Sequence, residues 1–99
     1  RHRNAILEGL IAVANEPGGT AAAAQFSKEW KVAGKTGTAE RSGREDDAWF
    51  VGFAPWNDPE VVVLVMLEGA GHGGREAGPL AREMFDYYFK NRARLTVDR

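Results

Sequence analysis

The spacing of apolar residues changes several times along the chain, and each change marks a new element. Between residues 4 and 15, Ile6, Leu7, Leu10, Ile11 and Ala14 recur at helical spacing, which predicts a helix over 4–15 with one apolar face. Asn15-Glu16-Pro17-Gly18-Gly19 ends it, because proline cannot continue a helix and paired glycines permit a reversal. Thr20 then reads as the N-cap of a short helix over 20–26, its hydroxyl accepting a first-turn N–H. Residues 30–39 read as a strand interrupted by Gly34 and Gly37, positions that mark close approach by another backbone or a ligand. A charged loop follows from Glu40 to Asp47.

Residues 48–54 are apolar on both alternating faces, which predicts an interior strand covered above and below. Pro55 and the Asn57-Asp58-Pro59 turn end it, and residues 61–68 form a second strand of the same doubly apolar kind. After a glycine-rich loop, Ala77, Leu80, Ala81, Met84, Phe85 and Tyr88 share one helical stripe, giving a helix over 76–90 with Pro79 in its first turn. Arg82–Asp86 and Asp86–Lys90 are charge pairs on its other face, and a mixed basic tail, expected to fray, runs to Arg99. Three strands joined by short turns imply an antiparallel meander, so the fold class is α+β, with helices flanking the sheet. Two helices cannot cover both faces of two doubly apolar strands. The chain is expected to leave its core open.

Length and charge narrow the function. Ninety-nine residues allow one domain at most. Thirteen Lys and Arg against 14 Asp and Glu, a formal charge of −1, argue against a dedicated nucleic-acid binder. The absence of cysteine excludes disulfide scaffolds and thiolate chemistry. The longest apolar run, Val61 to Leu67, is far short of the ~20 residues a membrane helix needs. No signal peptide opens the chain, and its start at Arg1 without a methionine reads as part of a longer protein.

Lys35-Thr36-Gly37-Thr38 is the first candidate for chemistry. On a strand, Thr36 and Thr38 share one face, with Gly37 removing bulk between them. Two hydroxyls near an ammonium suit a carboxylate, through charge-assisted hydrogen bonds. On an edge strand the Thr38 N–H could also face a developing oxyanion. The bland alternative is a glycine-containing strand end with a solvated lysine. Gly69-x-Gly71-x-x-Gly74 matches a dinucleotide-binding fingerprint in its letters, but the parallel βαβ unit that should surround it is missing, so a flexible connector is the better reading. His2 and His72, the only histidines, have no second nitrogen ligand at useful spacing, so no metal site is expected. Glu45-Asp46-Asp47 reads as an acidic turn rather than a cation site. Trp49, Phe50 and Phe53 read as core.

Four segments, in order and in register, resemble the transpeptidase domain of penicillin-binding proteins. They are residues 15–21 (Asn-Glu-Pro-Gly-Gly-Thr-Ala), 32–40 (Val-Ala-Gly-Lys-Thr-Gly-Thr-Ala-Glu), 48–55 (Ala-Trp-Phe-Val-Gly-Phe-Ala-Pro) and the closing helix from Gly73 to Tyr88. The resemblance covers roughly residues 3–90 and is strongest to the class B, elongation-type branch. It implies the α/β/α fold shared with serine β-lactamases, of which this chain would be the C-terminal part. It also implies acyl transfer on D-Ala-D-Ala stem peptides, without a cofactor.

The family uses a Ser-x-x-Lys nucleophile helix, a Ser-x-Asn loop and a Lys-Thr-Gly strand. Only the third is present: Ser27 is followed three residues on by Trp30, Ser42 by Glu45, and there is no Ser-x-Asn. By resemblance, Lys35 anchors the relay serine and raises the local positive potential. Thr36 and Thr38 hold the terminal carboxylate of the substrate or of a β-lactam. The Thr38 N–H forms half of the oxyanion hole, and Gly37 lets the nucleophile helix pack close. The implied partners are stem peptides, β-lactams, the remainder of the transpeptidase domain and, more remotely, a SEDS-type glycosyltransferase. The implied location is the periplasmic face of the bacterial inner membrane. Without its nucleophile the chain alone is expected to be inactive, and a non-catalytic binding module of the same fold is the alternative.

Overall fold

The computed structural model describes residues 2–40, 42–43, 45–69 and 73–95, with the side chains of residues 2, 3, 73, 74 and 93–95 left aside. Helix α1 spans His2–Asn15. A single 3-10 turn covers Ala22–Ala24, and strands β1 (Ala33–Ala39), β2 (Asp47–Ala54) and β3 (Val61–Leu67) follow. A π-helical turn at Gly73–Ala77 leads into helix α2, Gly78–Leu95. The strands form one antiparallel sheet in the order β1-β2-β3, the meander that the short turns require. Thr36 pairs with Phe50 and Phe50 with Val65, so these three side chains share one face.

That face holds the core. Phe50 is fully buried, stacked on Phe26 with ring centroids 5.5 Å apart, and Phe85 of α2 meets Phe26 edge-on at 5.9 Å. Gly34 and Gly52, cross-strand partners, make room for the Phe50 ring. A Cβ on Gly34 would lie 2.6 Å from Phe50 Cζ, and one on Gly52 2.7 Å from the same ring. The glycine at 34 thus admits both a core ring and the backbone of the neighbouring strand, since its Cβ would also lie 2.7 Å from the Val51 carbonyl oxygen.

Several element ends differ from the periodicity reading. β1 starts at Ala33 instead of residue 30, because Ser27–Trp30 closes a turn (Trp30 N donating to Ser27 O, 3.1 Å) and Lys31 takes a left-handed φ of +56°. The short helix over 20–26 shrinks to the 22–24 turn, stopped by Gln25 at φ +58°. α2 begins at Gly78, after the π-turn, and continues to Leu95, past the residue 90 expected from its apolar stripe. The expected fraying of the tail falls partly on residues 96–99, which lie outside the described residues.

The expectation that β3 is doubly buried fails. Val63 and Val65 face the core, but Val62, Leu64 and Met66 on the opposite face are 69%, 62% and 57% exposed. The α2 stripe divides in the same way. Ala77, Ala81 and Phe85 are fully buried, while Leu80 and Met84 lie 42% and 48% exposed beside Tyr87. Together with β3 they line an open groove of about 660 Å³. α1 is also half-open: Ala14 is buried, whereas Ile6 faces outward.

Polar contacts tie the helices to the sheet. Asn15 Nδ2 donates to Ile11 O at 2.8 Å and to Val32 O at 2.7 Å, joining the end of α1 to the residue before β1. Trp30 stacks on Phe89 of α2 at 4.8 Å, and its Nε1 donates to Asp86 at 2.7 Å. The Arg82 guanidinium lies 3.5 Å from the other Asp86 oxygen, so this carboxylate serves both partners. Glu60 in the β2–β3 turn receives Arg92 at 2.8 Å and the Tyr88 hydroxyl at 3.3 Å. The Tyr88 hydroxyl is held above the usual tyrosine range, first by loss of hydration and then by the Glu60 carboxylate. Among the described residues, no helix is long and apolar enough to cross a membrane.

Candidate active site

The Lys35–Thr38 segment lies in the middle and second half of β1, an outer strand of the described sheet. Alternation along the strand places Thr36 and Thr38 on the core face, opposite Phe50 and Ala48. Lys35 and Gly37 lie on the other face, opposite Val51 and Trp49. The ammonium and the two hydroxyls therefore share the strand's outer margin but not one face. Lys35 is exposed, and its Nζ donates to the Thr36 carbonyl oxygen at 3.1 Å.

The two threonines differ in setting. Thr36 is 7% exposed and its Oγ1 lies 2.7 Å from Oγ1 of Thr20, whereas Thr38 stands exposed near the end of the strand. Thr20 is the residue that sequence reasoning misplaced. It is not an N-cap: the 3-10 turn begins at Ala22 with Ala21 in the N-cap position and no side-chain cap, and the Thr20 hydroxyl turns to β1 instead. The usable signal was Gly18-Gly19 directly before it. Gly18 takes φ +99°, and a Cβ on Gly19 would lie 2.6 Å from the Val13 carbonyl oxygen, so these glycines press Thr20 against the end of α1.

Gly37 has a specific neighbour as well. The space its Cβ would fill is occupied by the Trp49 indole, with Cζ2, Cε2 and Nε1 the nearest atoms. Trp49, a core residue on its sequence pattern, is only half-buried and lies on the open face with Lys35. Of the acidic cluster, Asp47 is buried at the start of β2 and accepts the Gly69 N–H at 3.0 Å, a link between the two hairpin ends. Among the described residues, no group of three metal-ligating side chains could hold an ion.

The glycine-rich fingerprint loses its context. Its residues 70–72, including Gly71 and His72, lie outside the described residues, as does the His2 side chain. The strand before it is antiparallel to its neighbour, and no strand follows α2 among the described residues, so the parallel βαβ unit is not formed.

Known proteins share this fold. Residues 2–86 match the family model of the penicillin-binding protein transpeptidase domain. The peptidoglycan D,D-transpeptidase MrdA of Haemophilus influenzae is 37% identical over 99 positions, covering 85% of this chain and 15% of that protein. The crystal structure of Pseudomonas aeruginosa PBP2 superposes with a TM-score of 0.72 at 34% identity, over 86% of this chain and 18% of that one. Helicobacter pylori PBP2, in its complex with MreC, superposes with a TM-score of 0.74 at 27% identity, over 88% of this chain and 17% of that one. The chain thus spans about 15% of the length of the MrdA relative it matches. On the family match, the relatives and the shared fold, this chain belongs to the penicillin-binding protein transpeptidase family.

Proposed function

We propose that the chain forms the Lys-Thr-Gly wall of a longer peptidoglycan D,D-transpeptidase, which transfers the acyl group of D-Ala-D-Ala stem peptides through a serine supplied by the rest of that protein. The observation that carries this reading is the placement of Lys35-Thr36-Gly37-Thr38 on an outer strand, inside the family match over residues 2–86. Thr36 and Thr38 offer hydroxyl donors to the substrate's terminal carboxylate, and Lys35 supplies positive potential at the same strand margin. The Thr38 N–H contributes to the oxyanion hole, where a preorganised donor stabilises charge that develops only in the transition state. Nothing in this chain supplies the nucleophile, since neither Ser27 nor Ser42 begins a Ser-x-x-Lys.

On this reading the partners are stem peptides, β-lactams and the remainder of the domain, which covers the open face of β3. A SEDS-type glycosyltransferase and a location on the periplasmic side of the inner membrane belong to the same proposal. A fluorescent penicillin tests it. The full-length protein should take a covalent label and the 99-residue chain alone should not. A labelled chain would show that the nucleophile is not supplied from outside. An unlabelled full-length protein would overturn the enzymatic reading in favour of a binding module.

A further inference from the structure

Thr20 and Thr36 lie sixteen residues apart in sequence and meet through their hydroxyls at 2.7 Å. Backbone contacts on either side of Thr20 fix its position. The Gly19 N–H donates to Glu16 O at 2.8 Å and the Ala21 N–H to Val13 O at 2.9 Å, so both neighbours are tied to the end of α1. α1 is itself joined to the start of β1 by Asn15, whose Nδ2 reaches Val32 O. The backbone of Thr20 is therefore held beside β1 by a braced loop, and the contact to Thr36 Oγ1 orients its exposed side chain.

Proton counting then gives the pair a direction. Each hydroxyl has one proton to donate, and an ionised carboxylate can only accept. If Thr36 is to donate to a ligand carboxylate, its oxygen must take the Thr20 contact as acceptor, and Thr20 must be the donor. The opposite direction would leave Thr36 with no proton for the ligand. Donation into the Thr36 oxygen also polarises its O–H, as in any chain of hydrogen bonds in a partly dehydrated site.

We infer that Thr20 is a positioning residue of the carboxylate-binding site: its hydroxyl donates to Thr36 Oγ1 and commits the Thr36 proton to the carboxylate of the stem peptide or β-lactam. This rests on the proposed transpeptidase reading, in which Thr36 binds that carboxylate. Thr20 does not touch the ligand. It fixes which way the residue that does so points its proton.

The test uses the full-length protein and two forms of one penicillin, the free acid and its methyl ester. Thr20→Val keeps the shape and removes the hydroxyl. The acylation rate constant for the acid should fall about three- to tenfold, the range expected for losing one neutral hydroxyl–hydroxyl hydrogen bond. The rate for the ester should stay unchanged, and Thr20→Ser should restore the acid's advantage. In a Thr36→Val background, Thr20→Val should leave the acid-to-ester ratio where Thr36→Val already put it. An equal fall for acid and ester would mean that Thr20 only supports the fold, and would overturn the inference. So would an unchanged ratio, or a loss that serine does not rescue. If Thr20→Val does not fold, Thr20→Ala carries the same comparison. A wild-type protein that neither form acylates would instead sink the transpeptidase reading, a failure visible before any variant is made.

Discussion

The indole of Trp49 occupies the volume that a Cβ at Gly37 would need, so the glycine of the Lys-Thr-Gly segment is required by a neighbour on β2. Gly37→Ala must displace that ring or the strand. Overpacking of this kind costs about 1–3 kcal/mol. Denaturant titration should show that loss, and Trp49→Leu, which removes the crowding atoms, should recover part of it in the double variant. Strictly additive effects would mean that the ring moves aside without cost.

Trp30 holds α2 in two ways, by stacking on Phe89 and by donating to Asp86. Trp30→Phe keeps an aromatic face and removes the donor, leaving a half-buried carboxylate with the Arg82 guanidinium 3.5 Å from its other oxygen. The expected loss is about 1–3 kcal/mol, as for a hydrogen bond to a charged group. A denaturation midpoint equal to wild type would contradict it.

Tyr88 should make stability depend on alkaline pH. Its pKa in the folded protein is raised, by lost hydration and then by Glu60, so the folded state holds the proton more tightly than the unfolded one. Its contribution is complete below the ordinary tyrosine value of about 10 and is lost as pH rises through the higher folded value. Tyr88→Phe cannot ionise, and its stability should fall less steeply above that pH. Thermal midpoints measured across the alkaline range decide it, and parallel curves would count against Tyr88.

β3 should make the isolated chain associate. Val62, Leu64 and Met66 stand exposed on a strand without charge or proline, and no strand lies beyond it among the described residues. Such strands template pairing with other chains. Light scattering should show concentration-dependent growth for the wild-type chain, reduced in Leu64→Lys. A wild-type chain that stays monomeric at high concentration would refute this.

Much of the fold was legible because apolar runs and short turns leave few ways to connect three strands. The meander follows from the short connections 40–46 and 55–60 alone. What periodicity could not reach was set by single backbone torsions. Lys31 at φ +56° moves the start of β1, and Gln25 at +58° shortens a helix that its alanines favour. The Lys-Thr-Gly segment was visible as residue types at a spacing. The partner of Thr36 was not, since a hydrophobic pattern says nothing about where an exposed threonine aims its hydroxyl. The surplus grease on β3 and α2 was also legible. So was the open core that follows from it; which side chains stand open, Val62, Leu64 and Met66 on β3, needed the relative placement of helices and sheet.

Asn15 uses both protons of one amide nitrogen, one on the helix it ends and one on the carbonyl of Val32, just ahead of β1. An aspartate of the same outline has no proton to offer and would set one carboxylate oxygen against two carbonyl oxygens. The position therefore distinguishes nitrogen from oxygen, not large from small. The anchoring of Val32, the residue just ahead of the Lys-Thr-Gly strand, consequently depends on the valence of one atom on a different element, outside the strand's own sequence.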